Sequence, residues 1–112
     1  MKANITIHRQ SNLPMPLIYL ATPEDWADWY ISQLERNIDR GEKDLSISVF
    51  SSGLCQQELC HTAQAVLRAA EALMQQTPSA HLKILCGDED AFCAYRSLQE
   101  AEYCSDLRRH SD

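Results

Sequence analysis

Apolar residues recur along this chain with two different periods. Ile5 and Ile7 alternate with polar neighbours, and Leu45, Ile47 and Val49 alternate with Ser46 and Ser48. Both runs have the two-residue period of a strand with one buried face. Residues 81–86 add a further strand with Leu82, Ile84 and Leu85 as its apolar content. Leu17, Ile18, Tyr19, Leu20 and Ala21 form a continuous apolar run, the pattern of a strand covered on both faces. Trp26, Tyr30, Leu34 and Ile38 recur every four residues, with Trp29 and Ile31 widening the stripe, which predicts an amphipathic helix. Leu59, Ala63, Val66, Leu67, Ala70, Leu73 and Met74 mark a second helix over residues 56–76. Ala91, Phe92, Tyr95 and Leu98 mark a third.

The helix ends carry their own signals. Thr22 is suited to cap the first helix, Pro23 fits its first position, and Glu24 and Asp25 lie where the helix dipole favours negative charge. Arg36 and Arg40 fall in its last turn and Gly41 stops it. Asp88 is placed to cap the third helix. The order is β-β-α-β-α-β-α in one α/β domain spanning residues 1–112. It predicts a mostly parallel four-stranded sheet with three helices, joined by right-handed crossovers.

Length and composition narrow the function. A chain of 112 residues fits one hydrophobic core. With 45% hydrophobic and 23% charged residues it is an ordinary globular sequence. Sixteen acids against ten bases give a net charge of -6, which argues against nucleic acid as a main partner, since phosphate affinity comes from Lys and Arg. No run approaches a membrane span, and residues 1–9 lack the apolar core of a signal peptide. Five cysteines in such a chain are expected to be reduced thiols in a cytoplasm.

In an open parallel sheet, ligands bind beyond the carboxyl ends of the strands. Three loops should converge there: Ala21 with Thr22; Ser51, Ser52, Gly53, Leu54 and Cys55; and Cys86, Gly87 and Asp88. In the second loop, Gly53 permits close approach of a ligand, and two hydroxyls with helix amides can hold phosphate oxygens. The plain alternative is a βα turn in which Ser52 caps the helix. Cys86 and Cys55 precede helix N-termini, where a thiol pKa can fall. Against this, free cysteines are usually buried as small apolar residues, and Asp88, Glu89 and Asp90 oppose a thiolate. Cys55, Cys60, His61 and Cys86 could approach one another, but they lack metal-ligand spacing. His8, His61, His81 and His110 show no catalytic pairing and read as solvated surface residues. Catalytic residues, a metal and a cofactor are therefore not expected.

From Trp29 to about Glu100 the chain resembles the C-terminal half of a macrodomain, the ADP-ribose-binding α/β family. The resembling features are the helix ending Asn37, Ile38, Asp39, Arg40, Gly41 and the strand entering Ser51, Ser52, Gly53 and Leu54. A long helix, the strand Leu82, Lys83, Ile84, Leu85, Cys86, and the acid-rich helix start at Asp88, Glu89 and Asp90 follow. The resemblance implies that Ser51, Ser52, Gly53 and Leu54 are phosphate-loop positions. Cys55 and Gln56 stand where the family usually has an aromatic residue and a second glycine, and no counterpart of the N-terminal half precedes Trp29.

Two functions follow. The first is a small, acidic binding or protein-interaction module without catalysis. A small sheet leaves edges and one face hard to cover, and self-association would cover them. Ala65, Ala69 and Ala72 on the second helix would allow close packing. The second is a nucleotide or ADP-ribose binder using residues 51–54.

Overall fold

The structure is a computed structural model that describes residues 4–14 and 18–111, with side chains described through Ala101. Its elements are β1 (Ile5–Arg9), α1 (Pro23–Asp39), β2 (Asp44–Val49), α2 (Gln56–Gln75), β3 (His81–Cys86) and α3 (Glu89–Ser111). Among the described residues the sheet has three strands in the order β1-β3-β2, all parallel. Ile7 pairs with Ile84, and Ile84 with Ile47, so the three alternating patterns lie in register.

The expected fourth strand does not form among the described residues. Residues 18–20 adopt no regular structure, and Met15, Pro16 and Leu17 lie outside the described residues. Ile18 and Tyr19 are exposed, Tyr19 at 87%. Leu20 instead packs against the core, and its carbonyl accepts a hydrogen bond from Trp26 Nε1 at 3.1 Å. The apolar run thus anchors the entrance to α1. Continuous apolarity without alternation cannot by itself separate a buried strand from such an anchor.

Among the described residues the sheet is covered on one face only. Ile5, Leu45, Ile47, Val49, Leu82, Ile84 and Cys86 are buried. Their alternates Thr6, His8, Ser46, Ser48, Lys83 and Leu85 are exposed or half-buried on the opposite face. All three helices therefore lie on the apolar face, with α2 packed between α1 and α3. Because β3 lies between β1 and β2, the two crossovers traverse that face in opposite directions. They have opposite hands, and one of them is left-handed, which corrects the expectation of uniformly right-handed connections. The right-handed preference comes from strand twist feeding a compact crossover.

Local signals fix the helices. Thr22 Oγ1 accepts from Asp25 N at 3.1 Å, and α1 stops at Gly41, whose φ is +78°. Trp26, Ala27, Tyr30 and Leu34 are its buried stripe. Trp26 and Trp29 meet edge to face at 5.9 Å, so both are packing residues. The N-cap of α2 is Cys55, not Ser52; Glu58 closes that end by accepting from Cys55 N at 3.1 Å. On α2 the buried Thr62 donates to the Pro23 carbonyl at 3.0 Å, tying two helices together.

Both sheet edges are partly capped. Gln99 Nε2 donates to the Ile5 carbonyl at 3.1 Å, and Asn37 Nδ2 to the Ser46 carbonyl at 3.3 Å. Asn4 and Lys43 already pair toward β3, so by alternation Ile5 and Ser46 point outward. Each flanking helix thus supplies an amide to an edge that would otherwise offer bare carbonyls.

Candidate functional site

The carboxyl ends of the strands gather two of the three expected loops into one hydrogen-bonded rim. Gly87 N donates to the Val49 carbonyl at 2.9 Å and Gln10 N to the Cys86 carbonyl at 3.0 Å, continuing the parallel ladder past the strands. Asp88 joins the loops. Its Oδ2 accepts from Ser51 N at 2.8 Å and from Ser51 Oγ at 3.1 Å, and its Oδ1 accepts from Ala91 N at 2.8 Å. One carboxylate thus caps α3, as its place in the sequence predicts, and also holds the β2–α2 loop. That loop turns tightly at Ser52 (φ +55°) and Gly53 (φ +73°), with Leu54 N donating back to the Ser51 carbonyl at 3.0 Å. Two successive positive φ angles are the type I′ geometry, which glycine adopts without strain and serine does not.

Beneath the loop lies the buried Tyr30. Its hydroxyl accepts from Phe50 N at 3.2 Å and is 3.4 Å from both the Phe50 carbonyl and Ser52 Oγ. Burial raises its pKa, partly offset by the hydrogen bonds to Ser52 and Phe50. Tyr95 is fully buried nearby, its hydroxyl has no hydrogen-bond partner among the described residues, and burial pushes its pKa well up. Gly87 backs onto Phe50, and a Cβ there would overlap the ring. The Cys86 thiol is buried, and desolvation followed by the Asp88 charge pushes it up to about 12, with Arg9 pulling weakly the other way. It is held as a thiol.

The sequence-derived candidates therefore separate. Ser51, Ser52, Gly87 and Asp88 come together, with Gly53 at the tip of the turn. Cys86 lies below them in the core. Thr22 and Cys55 each sit at a helix N-terminus, and Leu54 turns toward a different opening.

That opening is a groove of about 430 Å³ between the first half of α2 and α3. Leu54, Leu59, Cys60, Ala94, Leu98 and Ala101 give it an apolar lining, and Gln56, Asp90, Cys93 and Ser97 supply polar atoms. Two thiols from different helices share it. Cys93 is pushed up by desolvation and by Glu89, and its Sγ lies 3.7 Å from Glu89 Oε1. Periodicity marks Leu59 and Leu98 as inward-facing, but it cannot show that a groove remains beside them. Among the described residues, Cys55, Cys60, Cys86 and Cys93 are free, and no three His, Cys, Asp or Glu side chains are grouped to hold a metal ion. Nor is any helix among them long and apolar enough to cross a membrane. No family model, curated protein or solved structure matches the chain.

Proposed function

We propose that this protein is a binding module without catalysis of its own, and that the α2–α3 groove receives its ligand. The groove carries the reading. Its volume of about 430 Å³ lies within the ~300–1,000 Å³ of small-molecule sites, and it combines apolar walls with a few polar atoms. The ligand it suits is a small amphipathic molecule whose apolar body lies on Leu59, Ala94 and Leu98 and whose polar edge meets Gln56, Asp90 or Ser97. Self-association or a protein partner over the same helices is the other form of this reading.

The rim supports the nucleotide reading less. A phosphate at residues 51–54 would meet the Asp88 carboxylate already holding the Ser51 amide and hydroxyl. Like charges in one site repel, so the ligand would have to displace Asp88 and uncap α3.

The test uses 8-anilinonaphthalene-1-sulfonate, an amphipathic fluorescent probe, with the folded chain and with Ser97→Trp. Ser97 is exposed on the groove wall, so the indole fills the opening without entering the core. Fluorescence enhancement in the parent and its loss in the variant is the expected result. Equal signal in both, with unchanged circular dichroism, overturns the groove as the site. Calorimetric binding of ADP-ribose that survives Ser97→Trp would move the site to the rim. Light scattering that rises with concentration would identify a second copy as the partner.

A further inference from the structure

The open face of the sheet carries a feature that the sequence does not reveal. His8 on β1 and His81 at the start of β3 both project to this face, and both reach one atom, Thr6 Oγ1. His8 Nε2 is 2.9 Å from it and His81 Nε2 3.1 Å. A threonine hydroxyl has one proton and two lone pairs, so it can donate to one imidazole while accepting from the other. The two Nε2 atoms therefore lie within about 6 Å of each other. They come from adjacent strands whose separation the parallel ladder fixes.

We propose that His8 and His81 form a two-imidazole site for a borderline divalent transition-metal ion such as Zn(II), completed by water. Imidazole nitrogen is the ligand these ions favour among nitrogen and oxygen donors. Tetrahedral Zn–N bonds of ~2.0–2.1 Å place two nitrogens ~3.3 Å apart. His8 is exposed and His81 half-buried, so rotation of the rings closes that distance while the Thr6 hydroxyl turns aside. The rest of the face sets the limits of the site. Asp44 pairs with His81 in the ladder and contributes a nearby negative charge. Lys83 pairs with Thr6 on the central strand and opposes a cation. Two protein ligands also leave coordination positions open to solvent.

The experiment titrates Zn(II) alone into the full chain by calorimetry, after its accessible thiols have been alkylated so that only imidazoles compete. One equivalent binding well below ~1 mM is expected, weakened ~10-fold or more by His8→Ala and equally by His81→Ala. Thr6→Val, which keeps the shape of the strand but removes the hydroxyl, retains binding. Lys83→Gln tightens it. Long-range nitrogen NMR supplies a readout that needs no variant: the ring nitrogens of His8 and His81 shift together with saturation, and those of His61 do not. No saturation below ~1 mM overturns the proposal. So does unchanged affinity in either histidine variant, or a loss of binding in His61→Ala instead.

Discussion

Asp88 is the most connected side chain of the rim, so its removal has a calculable cost. Asp88→Ala deletes the acceptor of Ala91 N, the N-cap bond of α3. Losing such a cap costs about 1 kcal/mol. It also deletes the acceptor of Ser51 N and Ser51 Oγ. Ser51 is half-buried, so water replaces the lost carboxylate only in part, and bonds to a charged acceptor contribute ~1.5–3 kcal/mol. The total is ~2–4 kcal/mol, a large share of the ~5–15 kcal/mol that stabilises a typical domain. Asp88→Ser separates the two roles. Serine caps a helix as well as aspartate but is too short to reach the neighbouring loop, so it should recover only the ~1 kcal/mol of the cap. Ser51→Ala in the Asp88→Ala background should then cost almost nothing more, because their shared bond is already lost. Urea unfolding followed by far-ultraviolet circular dichroism gives all these values. If Asp88→Ala lies within ~0.5 kcal/mol of the parent, or Asp88→Ser is as damaging as alanine, the carboxylate does not tie the loops as described.

Other consequences of the structure can be measured in the same way. Gly87→Ala forces a methyl group into the Phe50 ring and should destabilise by ~1–3 kcal/mol in urea unfolding, with Phe50→Leu offsetting part of the loss. Gln99→Ala and Asn37→Ala should each cost ~0.5–1.5 kcal/mol and raise the tendency to associate, seen as concentration-dependent light scattering, since each bares an edge carbonyl. The Cys86 pKa is raised to about 12 from 9.0, so folded and unfolded chains hold the same thiol proton below pH ~9 and differ above it. Unfolding releases that proton, so this contribution to stability is present below pH ~9 and is lost at up to ~1.4 kcal/mol per pH unit as pH rises toward 12. Cys86→Ala should flatten this part of an alkaline stability profile. The same shift predicts that iodoacetamide labels the exposed Cys55 far faster than Cys86 at neutral pH, as peptide mass spectrometry would show.

Much of the fold is legible in the sequence because its signals are local. Thr22, Pro23 and Gly41 bracket α1 with steric and capping preferences that act within one turn. The alternations at Ile5, Leu45 and Leu82 report one buried face and become the three paired strands. The apolar run at Ile18 and Tyr19 misleads, because apolarity reports a preference for burial but not the partner that supplies it. The hand of the crossovers is likewise invisible, since it depends on which face three separate helices share. At the site, the convergence of residues 51–53 with 87–88 follows from parallel topology and is readable. The bond between Asp88 and Ser51, 37 residues apart, is not. Nor is the meeting of His8 and His81 around Thr6, since 73 residues separate the histidines and only strand order makes them neighbours.

How each surface is covered decides where binding is least costly. At the rim, the Ser51 amide and hydroxyl are already bonded to a carboxylate, so a ligand must break bonds of comparable strength before it gains any. At the two edges, side-chain amides occupy the carbonyls of Ile5 and Ser46, and a pairing strand would displace them. The open face is polar, and a partner laid flat against it must desolvate Lys83, two histidines and several hydroxyls, whereas a small ion meeting two imidazole nitrogens need not. The α2–α3 groove differs from all three. Leu54, Leu59 and Leu98 line it, and covering apolar surface there gains roughly 25 cal/mol per Å², while the polar atoms of Gln56, Asp90 and Ser97 at its edge must be paired or stay hydrated. A ligand that covers this surface works with the packing of the fold, while one at the rim works against it. Binding energy per unit of contact therefore favours the groove over the rim, although Leu54, Gln56 and Asp90 start its lining in the loop and first helical turns that follow β2 and β3.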